Sequence, residues 1–95
     1  MFVVTVEFLI RPGQEAIFMA RMHQQASESL FKEAGCRQFD VSISPDDPRK
    51  VFLYELYETE AAFLEHLESD HFKAFDQEAG NLIESKIVQT WQRTA

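Results

Sequence analysis

Strands that are apolar on both faces limit what this chain can fold into. Side chains alternate across a β-strand. Phe2 to Ile10 therefore sends Phe2, Val4, Val6, Phe8 and Ile10 to one side and Val3 and Leu9 to the other, broken only by Thr5 and Glu7. Val51 to Tyr57 repeats the pattern, with Val51 and Leu53 set against Phe52, Tyr54 and Leu56. A sheet made of such strands needs cover on both faces, because an antiparallel sheet open to water normally shows it a polar side.

The rest of the chain supplies one covering layer. Arg11-Pro12-Gly13 ends the first run with turn chemistry. From Gln14 to about Glu33 the period becomes helical: Phe18, Met22, Ala26 and Leu30 recur every fourth residue with Met19 beside them, and Arg21, Gln24, Gln25 and Glu28 lie elsewhere on the wheel. After Gly35, the residues Phe39, Val41 and Ile43 alternate with polar ones, and Ser44-Pro45-Asp46-Asp47-Pro48 separates them from the run at Val51. These two strands are expected to form an antiparallel hairpin. Thr59 and Glu60 then open a second helix, Ser69-Asp70 restarts it, and Lys86 to Trp91 reads as a last strand. The order β-α-β-β-α-β over residues 1–95 predicts one α+β domain of ferredoxin-like type, a four-stranded antiparallel sheet with its helices on one face. The other face stays apolar and unpaid for by any helix. Burying it at ~25 cal/mol per Å² favours association, so a homodimer joined sheet to sheet is expected.

Composition excludes several classes. Formal net charge is −7, with Lys and Arg dispersed, so nucleic acid is not an expected partner. No apolar stretch approaches the roughly 20 residues needed to span a bilayer. No membrane insertion is expected, and the lone Cys36, which cannot pair within the chain, fits a reducing cytoplasm.

Candidate chemistry gathers in VFLYELYETEAAFLEHLESDHFKAF, residues 51–75, a strand running into a helix with titratable groups on both arms. His66 lies three residues after Phe63 and four after Ala62, which puts it on the buried side of the second helix. Two roles are open to it. It can be a satisfied core histidine, or a general base facing a pocket, since imidazole titrates near pH ~6.5. Glu55 sits mid-strand, where a buried carboxylate must be paired or must resist ionisation, and is the candidate to orient His66 or a substrate hydroxyl together with Tyr57. His71 fits a capping or supporting role. Phe39, Phe72 and Trp91 are candidate walls for a flat aromatic ligand, and Glu7 is either a strand position reaching water or a pocket residue. Metal is not expected, because His66 and His71 stand at i, i+5 and not at the i, i+4 spacing of helical zinc pairs. His23 and Cys36 have bland readings, a solvated histidine and a small buried filler.

The chain also resembles a known family. Pro12-Gly13, Glu33-Ala34-Gly35-Cys36 followed by Phe39-Asp40-Val41, Tyr54-Glu55-x-Tyr57, Ala61-Ala62-Phe63 and His66-x4-His71-Phe72 are together similar to the antibiotic biosynthesis monooxygenase (ABM) domain. The resemblance implies a dimeric α+β barrel with a pocket between sheet and helices in each subunit. It further implies oxidation of a quinol or phenolic small molecule by dioxygen, with no metal, flavin or haem cofactor. Haem-degrading relatives carry an Asn, a Trp and a haem-ligating His where this chain has Glu7, His66 and Asp76, so haem is not expected. Two alternatives stay open: an isomerase or processing enzyme for a small (phospho)dione of the autoinducer-degradation type, and a non-catalytic dimeric ligand-binding module.

Overall fold

The computed structural model describes residues 1–95. Strands β1 (Phe2–Ile10), β2 (Cys36–Ile43), β3 (Lys50–Tyr57) and β4 (Ile83–Gln92) form one sheet in the order β2-β3-β1-β4, every neighbouring pair antiparallel. Helices α1 (Glu15–Lys32), α2 (Glu60–Glu68) and α3 (Asp70–Ala79) complete it, with a single 3₁₀ turn at Gly80–Leu82. This is the expected ferredoxin-like α+β arrangement. β4 begins three residues earlier than the alternation from Lys86 suggests, because Ile83 pairs with Ile10 across an irregularity at Leu9.

Local chemistry explains the joints. Arg11 accepts a backbone hydrogen bond from Gln14 at 3.1 Å, and Gly13 at φ 85° supplies the left-handed residue that this Pro-Gly turn requires. Thr59 caps α2 by accepting from the Ala62 N–H at 3.1 Å. Ser69 serves two helices at once. Its N–H and hydroxyl both donate to the His66 carbonyl, at 3.1 and 2.7 Å, which ends α2, and its hydroxyl oxygen accepts from the Phe72 N–H at 3.2 Å, which starts α3. The second helical segment is therefore two short helices with a corner between them.

The core lies between the sheet and the helices. Val4, Val6, Phe8 and Ile10 of β1 and Val51, Leu53 and Tyr57 of β3 are buried there against Phe18, Met22 and Ala26 of α1 and Phe75 of α3. Phe18 stands edge-on to Phe8 and Phe75, with centroids 5.2 and 6.3 Å away. The α1 stripe differs from the fourfold spacing read in the sequence. Gln25 and Ser29 are buried and Leu30 is exposed, so the apolar face runs 18, 22, 26 with two polar side chains on its flank. Those polar groups are buried because they meet partners. Gln25 reaches His71.

Close approach of α2 to the start of β2 depends on Gly35. A Cβ there would lie 2.6 Å from the Ala62 Cβ, closer than two carbons can sit, so any side chain at 35 pushes α2 away. The opposite sheet face carries Phe52, Ile87 and Trp91, each about half exposed, and an open groove of ≈ 450 Å³ there is lined by Phe52 and Ile87 with Leu9, Glu7 and Lys50. The Trp91 indole N–H donates to the Thr5 hydroxyl at 2.9 Å across this face. Nor do the helices reach β4 on their own side, where Lys86, Val88 and Thr90 are exposed. No helix is long and apolar enough to cross a membrane.

Candidate functional site

The corner at Ser69 decides which side chains meet. In one continuous helix residues five apart point in different directions. Here α2 ends and α3 begins between them, and the rings of His66 and His71 come to 5.9 Å centroid separation. The i, i+5 spacing sets the two rings apart only on a continuous helix, and the restart at Ser69-Asp70 supplies the break that brings them together.

Between the two rings lies the carboxylate of Glu33, the residue that follows α1. Glu33 Oε2 is 2.8 Å from His66 Nδ1 and 2.7 Å from His71 Nε2. The first contact is a hydrogen bond, with the imidazole N–H donating to the carboxylate. The second has the distance and not the direction, so His71 Nε2 is buried without a hydrogen-bond partner, as is the other carboxylate oxygen, Glu33 Oε1. His71 is held from behind by Gln25, whose side-chain amide lies 3.2 Å from Nδ1.

With Nδ1 committed to Glu33, the Nε2 of a neutral His66 is the bare nitrogen, and His66 lines a cavity of ≈ 60 Å³ between sheet and helices. Its walls are mostly apolar, among them Val6, Phe39, Leu53, Phe63 and Phe72. The imidazole is stacked on Phe63 at 6.2 Å, with Phe72 at 4.9 Å and Tyr57 at 5.5 Å. Lys86 and Val88, both exposed, form its β4 side, so the cavity opens where the helices stop short. The groove on the outer sheet face is larger, but no comparable cluster of titratable groups reaches it. The titratable groups therefore gather at the smaller cavity.

Glu55 also lines this cavity and is almost completely buried. Burial raises its carboxyl pKa above the ordinary range, only partly opposed by the hydrogen bond it accepts from the Tyr57 hydroxyl at 2.6 Å and by the nearby His66. Burial, with the Glu55 charge beside it, likewise raises the Tyr57 phenol. The Cys36 thiol is pushed up to about 12 by burial and by Glu33 and Glu55, so it stays neutral and is a poor nucleophile.

The structure thus brings His66, His71, Tyr57, Glu55, Phe39 and Phe72 to one side of the sheet. Two candidates fall elsewhere. Glu7 and Trp91 are on the outer face, because their strand positions alternate away from the helices, and neither lines the His66 cavity. Glu55 bonds to Tyr57, while Glu33 takes the place beside His66 that the sequence offered to Glu55. Glu33 and Gln25 are the residues a linear reading misses. Gln25 stands seven residues after Phe18 and three after Met22, a spacing that could have found it. Glu33 carries one weak signal, an acidic side chain at the negative end of a helix, where it needs compensation from outside.

Replacing Glu55 tests its electrostatic state. A carboxyl whose folded pKa is raised contributes its full stability below its ordinary value of 4.5 and loses it as pH rises through the folded value. Glu55→Gln keeps an acceptor for Tyr57 and cannot ionise. Its melting temperature is expected to exceed wild type at pH 8, with the gap narrowing as pH falls and closed once pH is below about 4.5. A gap that does not change with pH contradicts the assignment.

Residues 1–78 match the antibiotic biosynthesis monooxygenase family. No curated protein matches the chain. Among solved structures, one from Nitrosomonas europaea, provisionally named an antibiotic biosynthesis monooxygenase, superposes with a TM-score of 0.94 at 23% identity over 100% of both chains. A protein of Shewanella oneidensis is 31% identical with a TM-score of 0.86, covering 95% of this chain and 87% of its own. A Mycobacterium tuberculosis structure matches at 24% identity with a TM-score of 0.90, over 99% of this chain and 95% of that one. At 23 and 24% identity the likeness shows the fold alone, whereas the family match spans most of the sequence. The chain belongs to the antibiotic biosynthesis monooxygenase family.

Proposed function

We propose that this chain is a cofactor-independent monooxygenase that oxidises a quinol or phenolic small molecule with dioxygen, His66 acting as the base and Glu33 positioning it. Family membership supports a monooxygenase-like role in general terms. The observation that carries the finer reading is the Glu33 to His66 hydrogen bond at 2.8 Å, which commits Nδ1 as a donor and leaves Nε2 free to accept a proton beside an apolar cavity.

The chemistry balances without a cofactor. His66 Nε2 takes the phenolic proton, and the electron-rich anion passes one electron to dioxygen. Superoxide and the phenoxyl radical join through a new C–O bond, and the resulting peroxide loses water to leave a ring carbonyl. In sum, quinol plus dioxygen gives hydroxyquinone plus water, with all four electrons supplied by the substrate. Apolar walls favour such a step by excluding bulk water from the anion and the peroxide. Glu55, held towards its protonated form, can donate to a substrate oxygen across from His66.

Size adds a condition. A cavity of ≈ 60 Å³ admits dioxygen, but it is well below the ~150 Å³ that accommodates benzene. A ring enters only when side chains at the open end, Phe63, Leu67, Phe72 and Val88, swing outward. A phosphorylated dione fits less well, since Lys86 is the one cationic side chain lining the cavity and no clamp of paired basic groups accompanies it.

We also propose that the outer sheet face pairs with the same face of a second copy, because Phe52, Ile87 and Trp91 stand exposed on it and no layer of this chain covers them. Sedimentation at micromolar concentration should return about twice 11.0 kDa, and a stable monomer would contradict the pairing. Oxygen uptake on a reduced naphthoquinol, with a chelator present, tests the reaction. His66→Ala should lower kcat by ~10² or more with little change in melting temperature. Glu33→Gln should lower kcat less, leaving KM near wild type, as expected of a positioning residue. Full turnover in a destabilised His66→Ala protein would make the imidazole a core group and remove it from the chemistry.

A further inference from the structure

We propose that Glu33, His66 and His71 form a binding site for a first-row divalent cation such as Zn²⁺ or Co²⁺, seated behind the His66 imidazole and outside the substrate cavity. One ligand atom from each residue converges, all within 4.8 Å of one another. The contacts of 2.7 and 2.8 Å to Glu33 Oε2 are a few tenths of an ångström shorter than the ~3.0 to 3.5 Å between neighbouring ligands when metal bonds are 2.0 to 2.2 Å long. One ion reaches all three atoms when small rotations of the rings lengthen these contacts and bring the two nitrogens, within 4.8 Å of each other, to about 4 Å or less.

Two orphaned atoms point to the same occupant independently of that distance. His71 Nε2 is buried and lacks a hydrogen-bond partner although a carboxylate oxygen lies beside it, and Glu33 Oε1 is buried and unpartnered too. A nitrogen lone pair directed off the line of a hydrogen bond, next to a carboxylate with a spare oxygen, is satisfied by a cation that bonds both. No lysine or arginine pairs with Glu33 to do so instead. The support behind the ligands is also present: Gln25, buried on α1, reaches His71 Nδ1 through its amide, at 3.2 Å from Nε2 and 3.5 Å from Oε1. With its oxygen turned to Nδ1 it accepts that N–H and leaves Nε2 free to bind, the arrangement that fixes ligating imidazoles elsewhere. Two imidazoles and one carboxylate select zinc, cobalt and their neighbours over magnesium and calcium, which prefer oxygen.

The position of the ion sets its effect. Of the three ligands, only His66 lines the cavity. The ion therefore does not meet a substrate held there. It takes His66 Nδ1, and a neutral imidazole ligated at Nδ1 carries its proton at Nε2. The cavity then faces a donor where the free protein offers an acceptor. On the reading of His66 as the base, an occupied site is an inhibited one.

Binding is measured without reference to turnover, so failure of the base assignment leaves this test intact. The chelator-treated chain is titrated with Co²⁺ and followed by its visible d–d bands. Saturation at one equivalent is expected, with displacement by Zn²⁺ and none by excess Mg²⁺. Glu33→Gln and His71→Ala should each weaken binding by about 100-fold or more, since even the loss of a supporting partner costs 10- to 100-fold. His23→Ala, on the exposed side of α1, should leave it unchanged. Zinc K-edge absorption on the wild-type 1:1 complex needs no variant and should show two imidazoles with oxygen and no sulfur. Cobalt that keeps the spectrum of the aqueous ion, binding undiminished in His71→Ala, or a zinc shell with fewer than two imidazoles would each overturn the proposal.

Discussion

A carboxylate at the C-terminal end of a helix sits against the negative pole of the backbone dipoles and must find its donors elsewhere. Glu33 finds one in the imidazole of His66 and a close neighbour in that of His71, and much of the candidate site depends on that meeting. It joins α1 to the α2–α3 corner, two parts of the chain more than thirty residues apart. It needs Gly35 without a side chain, so that α2 can approach, and Ser69 to break the helix, so that both rings face the same carboxylate. It also fixes which nitrogen of His66 is left for the cavity.

Around that pair the protein separates two electrostatic environments. On the cavity side, aromatic rings surround His66 and burial holds Glu55 towards its neutral form, the low-charge setting that the proposed proton transfer calls for. Behind His66, Glu33, Gln25 and His71 form a small polar cluster with two groups left unsatisfied. The cluster holds His66 Nδ1 and leaves Nε2 to the cavity. Lys86 is the one lysine or arginine lining the cavity, so the proposed selection of an aromatic substrate would rest on shape and burial more than on charge.

The fold was legible because its signals are local and repeated. Alternation in β1 and β3, the fourfold period of α1, Thr59 as a cap and the restart at Ser69 each identify an element within a few residues. The two apolar strand faces also located the uncovered outer side, where Phe52, Ile87 and Trp91 are exposed. The site was legible only in part. His66 could be placed on a buried helix face by counting from Phe63, and Glu55 by its apolar strand neighbours. The identity of the partner was not, because Glu33 reaches His66 through the packing of α2 near the start of β2, a relation that no periodicity encodes. Trp91 and Glu7 show the converse. Residue type suggests a pocket role, whereas strand alternation places both on the outer face.

The account turns on the protonation pattern of one ring. Long-range ¹H–¹⁵N correlation on histidine-labelled, chelator-treated protein reads the tautomer of each imidazole directly. The expected spectrum at pH 8 has neutral His66 protonated at Nδ1, its proton shifted downfield by the Glu33 carboxylate, and that signature disappears in Glu33→Gln. His66 found as the Nε2–H tautomer, or unchanged by the loss of the Glu33 charge, would contradict the claim that Glu33 prepares a proton acceptor for the cavity.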